Sequence, residues 1–190
     1  MQVGCWAHAR RKFVDAVKVN PKDGEAIKMV TRMDAMFLVD RQARELVLTA
    51  DERLALRHEH AEVWAEEIRL ECIKLSKSTL PNSTLGKAVG YTLNQWEKLH
   101  RCFDYAEVEL SNNLAENSMR PIALGRKNWL HVGSEKSGPK VAAIMSVIES
   151  CRRLAAPVKD YLIDILPGMN QRKISDLTQL TPARWFAGRR

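Results

Sequence analysis

Ala106-Glu107-Val108-Glu109-Leu110-Ser111-Asn112-Asn113-Leu114-Ala115-Glu116-Asn117-Ser118-Met119-Arg120 passes from strict alternation into a capped, acid-bearing run, and the fold class turns on how that passage is read. Over residues 106–110, Val108 and Leu110 alternate with Glu107 and Glu109, the period of a half-buried strand. Asn112 or Asn113 then offers a side-chain oxygen to the free N–H groups of a helix that carries Glu116. The run continues to Gly125-Arg126-Lys127-Asn128-Trp129, so one acid stands among Asn112, Asn113 and Asn117 and the bases Arg120, Arg126 and Lys127. A carboxylate so surrounded could hold a divalent cation while its neighbours grip an anionic backbone. A purely structural reading is also open: with Asn113 as the cap, Glu116 is the third helical residue and reaches back to the Asn113 N–H, while Arg120 offers an i+4 ion pair.

Upstream of this passage the pattern is helical almost throughout residues 10–100. Residues 7–18 read as a helix with Phe13, Ala16 and Val17 on one side, and Pro21 suits the first turn of the next. From Lys22 to Leu48, Ile27, Val30, Met33, Phe37, Leu38 and Ala43 recur at three- and four-residue steps, which predicts one long amphipathic helix. Thr49 with Glu52 makes a capping box for a helix running to about Leu75. Pro81 interrupts, and Ser83 starts a helix that turns Leu85, Ala88, Val89, Leu93, Trp96 and Leu99 inward. Downstream, Pro139 or Lys140 begins a helix reaching about Leu154, residues 157–166 make a short one, and Gly168 closes it.

The 190 residues suffice for one domain or one core with an insertion. The net charge of +7 is segregated: residues 1–22 hold five Lys/Arg against one acid, 23–110 twelve against sixteen, and 111–190 thirteen against six. Phosphates reward clustered cations through counterion release, so basic ends predict a nucleic-acid surface; the alternative is a solvated basic face. Cys5, Cys72, Cys102 and Cys151 lack disulfide or Cys-x-x-Cys spacing and read as reduced thiols. No apolar run nears the roughly 18 residues of a membrane span, and no leader pattern follows Met1, so the chain is expected in the cytoplasm, with no membrane partner.

Two blocks resemble one family. Asn112-Asn113-Leu114-Ala115-Glu116-Asn117-Ser118-Met119-Arg120-Pro121, followed by Gly125-Arg126-Lys127-Asn128-Trp129, is similar to the Asn-Asn-x-x-Glu-x-x-x-Arg-Pro segment of transposases of the insertion-sequence-66 family. Gly4-Cys5-Trp6-Ala7-His8-Ala9-Arg10-Arg11-Lys12-Phe13 resembles the same family's Gly-Cys-x-Ala-His-Ala-Arg-Arg-x-Phe block. Leu80-Pro81-Asn82-Ser83 and Asn94-Gln95-Trp96 fall where the family has Leu-Pro-x-Ser and a Trp ending a helix, and Leu180-Thr181-Pro182-Ala183-Arg184-Trp185 resembles its tail.

The resemblance implies an RNase H-like fold in which two aspartates and one glutamate hold Mg²⁺ or Mn²⁺ for cutting and joining DNA, with Glu116 at the glutamate's place. The family's aspartates lie upstream of the Cys-x-x-His block, and this sequence starts four residues before Cys5. Asp15, Asp23 and Asp34 follow that block and match neither. The expected fold is therefore mostly α: a helical insertion plus a remnant of the RNase H-like α/β core, with short strands at 106–110 and also around 128–132. Expected segments are 1–20, the end of a core strand and its helix; 21–103, the insertion; 104–155, the glutamate segment and following helix; and 156–190, a helical tail.

Glu116 is the expected catalytic and metal residue, in a chain that lacks two of three acids and so binds no metal and cuts no DNA alone. Expected DNA contacts are Arg10, Arg11, Lys12, Arg120, Arg126, Lys127, Asn128, Lys136 and Lys140, each with a solvated helix face as its alternative. Cys5, His8, Asn112 and Asn113 are expected to support the site. Cys5 and His8 have the spacing of half a zinc site without a second pair. Expected partners are DNA (transposon ends and target) and either a second copy or a full-length transposase. From another functional class, a non-catalytic helical DNA-binding or transposase-interacting module also accommodates these features.

Overall fold

Three short polar side chains punctuate the first half of the chain. Asp23 accepts from the Ala26 N–H at 3.0 Å, Thr49 from that of Glu52, and Ser83 from that of Gly86 at 2.9 Å, each satisfying an otherwise orphaned donor at a helix start. In the computed structural model, which describes residues 2–129 and 133–189, with only the backbone at 126–129, these caps open helices α2 (Gly24–Glu45), α3 (Ala50–His60) and α5 (Thr84–Asn94). The Thr49–Glu52 capping box is complete, with the Glu52 carboxylate accepting from the Thr49 N–H at 2.8 Å. Helices α1 (Trp6–Val19), α4 (Glu62–Ser78) and α6 (Trp96–His100) complete this part. Further on lie α7 (Asn113–Trp129), α8 (Gly138–Arg153), α9 (Val158–Ile165) and α10 (Pro182–Ala187), with short 3-10 turns between the last of them.

The chain divides into two compact units, Met1–Glu116 and Asn117–Arg190. In the first, α1 packs on α2 and α5, and α4 on α2 and α5. Their shared core is Trp6, Phe13, Met29, Met33, Ile68 and Trp96 with smaller neighbours. In the second, Cys151, Ala156, Tyr161 and Ile165 form a smaller core closed by Trp185 and Phe186, and the Tyr161 hydroxyl donates to the Leu180 carbonyl at 2.7 Å.

The helical expectation holds in outline and shifts in detail. The stripe that α2 buries is Ala26, Met29, Met33, Met36, Val39, Asp40 and Ala43, with Val30 and Phe37 packed against the core, whereas Ile27 and Leu38 face solvent. Met33, Ala43, Val30 and Phe37 thus fall inward as expected, while flexible Met29 and Met36 fill space that Ile27 and Leu38 were expected to fill. Pro21 sits in the turn ahead of α2 because Asp23 is the cap. The helix expected from Thr49 to Leu75 breaks at buried Ala61, and the one after Ser83 breaks at Gln95.

No strand occurs among the described residues, which corrects the expectation at 106–110. The alternation is real: Ala106 and Leu110 are buried, Val108 packs on the core, and Glu107 is exposed. A strand, however, also needs a neighbouring strand. Here the Ala106 carbonyl accepts from Arg53 at 2.9 Å, the Val108 carbonyl from Arg57 at 2.6 Å, and the Leu110 carbonyl from the Trp6 N–H at 2.9 Å. Guanidinium groups and a helix start thus take the place of a ladder. Of the second expected strand, Asn128 and Trp129 are helical in α7, and residues 130–132 lie outside the described residues.

Candidate active site

Gly4 begins the site. Its N–H donates to the Lys98 carbonyl at 2.7 Å, and a Cβ there would stand 2.8 Å from the Leu99 nitrogen, closer than side chains tolerate. Glycine is what lets the chain start run against α6. Trp6 then donates through its indole to the Leu99 carbonyl at 2.9 Å and packs edge-on against Trp96. With the Trp6 N–H on Leu110, these contacts bring the start of α1 beside the residues leading into α7.

That convergence places His8, on α1, 3.5 Å from Glu116, on α7. Neither structural reading of Glu116 holds. The Asn112 carbonyl accepts from the Glu116 N–H at 2.9 Å, so Asn112 closes the first helical turn and Glu116 lies one place too far along for a capping box. Among the described residues Arg120 makes no ion pair with it. The carboxylate is about half exposed, and the imidazole one-third exposed, so both face a region that solvent and ligands reach. Cys5 is buried at the cap position of α1, and its carbonyl accepts from the His8 and Ala9 N–H groups.

Among the described residues no group of three or more His, Cys, Asp or Glu side chains could hold a metal together. A pair of Mg²⁺ ions about 4 Å apart needs several oxygen donors. One carboxylate and one imidazole do not fit such a centre, nor do Cys5 and His8 make a zinc site.

The expected DNA contacts divide. Arg10 is paired with Asp34, whose hydrogen bond and charge raise its already high pKa. Lys12 lies over the Tyr91 ring at 4.7 Å. Arg11, Arg120, Lys136 and Lys140 are exposed. Arg126, Lys127 and Asn128 belong to α7, and their side chains lie outside the described residues.

Sequence reasoning missed a buried ionic network beside this site. Fully buried Arg57 grips Asp40 with Nε at 2.9 Å and Nη2 at 2.5 Å, and its Nη1 also reaches the Cys102 carbonyl. Arg44 bridges Asp40 to Glu109, which also takes Arg53 at 2.7 Å. Burial pushes the Glu109 carboxyl up, but the hydrogen bonds and charges of Arg53 and Arg44 outweigh it and hold it below its ordinary value. Two signals were present in the chain: Asp40 interrupts the inner stripe of α2 between Met36 and Ala43, and Arg53 and Arg57 share one face of α3 at i, i+4.

Residues 1–140 match the sequence profile described as "Transposase IS66 family". The chain belongs to the IS66 transposase family. Three curated proteins of Sinorhizobium fredii (strain NGR234) are similar to it. The uncharacterized protein y4hP is 31% identical over 95% of this chain and 34% of its own length. The uncharacterized protein y4jD is 31% identical over 96% and 36%. The uncharacterized protein y4qI is 28% identical over 88% and 31%. This IS66 chain therefore spans about a third of the curated relatives it matches. No solved structure matches. Among the described residues no helix is long and apolar enough to cross a membrane.

Proposed function

We propose that this IS66 chain is the glutamate-bearing part of an enzyme that cleaves and joins DNA strands by metal-dependent phosphodiester chemistry. Glu116 is one of the three acids, and the two aspartates come from sequence outside these 190 residues. The observation that carries this reading is the 3.5 Å approach of His8 and Glu116. It unites the two family-like blocks, separated by more than a hundred residues in sequence, at one accessible carboxylate. His8 acts as a positioning residue that orients the carboxylate.

Mg²⁺ or Mn²⁺ belongs to the complete enzyme, and this chain alone holds neither. Transposon ends and target DNA are its substrates, and a second copy or a longer transposase is its protein partner.

A supercoiled plasmid incubated with the chain in Mg²⁺ or Mn²⁺ should stay uncut. Nicking that disappears in Glu116→Gln would show that the chain carries a complete centre, and nicking that persists in that variant would remove Glu116 from the chemistry.

A further inference from the structure

A groove of about 510 Å³ runs between α1 and the second half of α2 in the first unit, within the roughly 300–1,000 Å³ of ordinary ligand clefts. Arg10, Asp34, Phe37, Arg41, Arg44 and Asn113 line it. Its basic groups are presented in an uncommon way. Arg10 gives Nε and Nη2 to Asp34, leaving Nη1 without a partner among the described residues. Arg44 is held through Nη2 alone, by Asp40 and Glu109, so its remaining donors have no partner among the described residues. Both guanidinium groups are thereby fixed in place by carboxylates while still offering N–H groups to the groove. Arg41 is exposed and makes no hydrogen bond, ion pair or ring contact among the described residues.

The planar fork of arginine matches phosphate oxygens, and a fork already immobilised loses less side-chain freedom on binding. Arg10 is anchored at Asp34, seven residues before Arg41 on the same helix, so the two cations are about 10 Å apart along α2. Successive phosphates of one strand stand roughly twice the 3.4 Å axial rise apart, so that distance spans about two of them. Phe37, partly buried between them, adds apolar surface for sugar or base. The groove ends at Asn113, the first residue of the helix that carries Glu116.

We propose that this groove binds two neighbouring phosphodiesters of a DNA strand, with Arg41 as the free contact and Arg10 and Arg44 as prearranged ones, leading the strand toward Glu116. The assignment rests on the transposase reading and adds the path of the strand. Neither Arg41 nor Arg44 stands out in the sequence, where basic clusters draw attention to the chain ends instead.

Fluorescence anisotropy with labelled single-stranded and duplex oligonucleotides, titrated across a salt series, tests it. Arg41→Ala, a solvent-exposed change, should weaken binding about tenfold near 0.1 M salt and lower the salt slope by about one, the loss of one phosphate contact. Lys77→Ala, an exposed cation at the end of α4, should leave both unchanged. A loss confined to one oligonucleotide form identifies the form bound. Unaltered binding by Arg41→Ala, or equal losses in the two variants, would overturn the groove while leaving the DNA reading in place. No binding of either oligonucleotide by the unsubstituted protein at low salt would overturn both.

Discussion

Gly86 shows how little room single positions leave. A Cβ there would stand 2.1 Å from the Leu80 carbonyl oxygen, a backbone atom that cannot swing aside, because Ser83 and Pro81 fold the preceding turn tightly against α5. Gly86→Ala should therefore cost about 1–3 kcal/mol of stability, in the range of overpacked sites, read as a lowered urea midpoint at unchanged slope. Gly4 meets Leu99 in the same manner and at the same time sets the geometry of His8. At this scale much of the local structure was legible: the Thr49 cap, the Ser83 cap and the inward Trp96 follow from residue chemistry alone. The His8–Glu116 contact was not, since it depends on Trp6 reaching across to Leu99 and Leu110, residues that no local pattern links to it.

Among elements, the segment 102–110 is tied to α2 and α3 by charge rather than by a ladder. Removing Arg57 strands Asp40 in the interior with only the half-exposed Arg44 as counter-ion. Arg57→Ala should destabilise the protein by about 3 kcal/mol, the lower end for breaking a buried pair, in chemical denaturation. The network also sets an acid limit. Because the Glu109 carboxyl titrates below its ordinary value of 4.5 in the folded state, its contribution is fully present above that value and is lost as pH falls through the lowered folded one. Urea midpoints measured from pH 6 downward should fall below about pH 4.5. In Glu109→Gln, stability should be lower at pH 6 and the remaining fall in this window shallower. The alternation of residues 106–110 told which side chains face inward but not what pairs with their carbonyls, because periodicity reports burial and is silent on hydrogen-bond partners. Likewise α2 was expected from its period, yet its inner face also takes Met29, Met36 and the charged Asp40, which the period did not mark.

For the whole molecule, the segregation of charge points to the basic chain ends, whereas the groove beside α2 draws Arg41 and Arg44 from the acidic middle of the chain, so net charge by segment did not locate it. Two compact units were less legible than the helices composing them, since the division falls within the first turns of α7, where the helical pattern continues without a break in composition. The proposed chemistry calls for several acids around a pair of ions, of which Glu116 is the one proposed from these residues. Titration with Mn²⁺ followed by electron paramagnetic resonance measures that directly: the account predicts that the ion stays free in solution, with the same spectrum for the unsubstituted protein and for Glu116→Gln. Ions bound tightly to the unsubstituted protein and released in Glu116→Gln would contradict it.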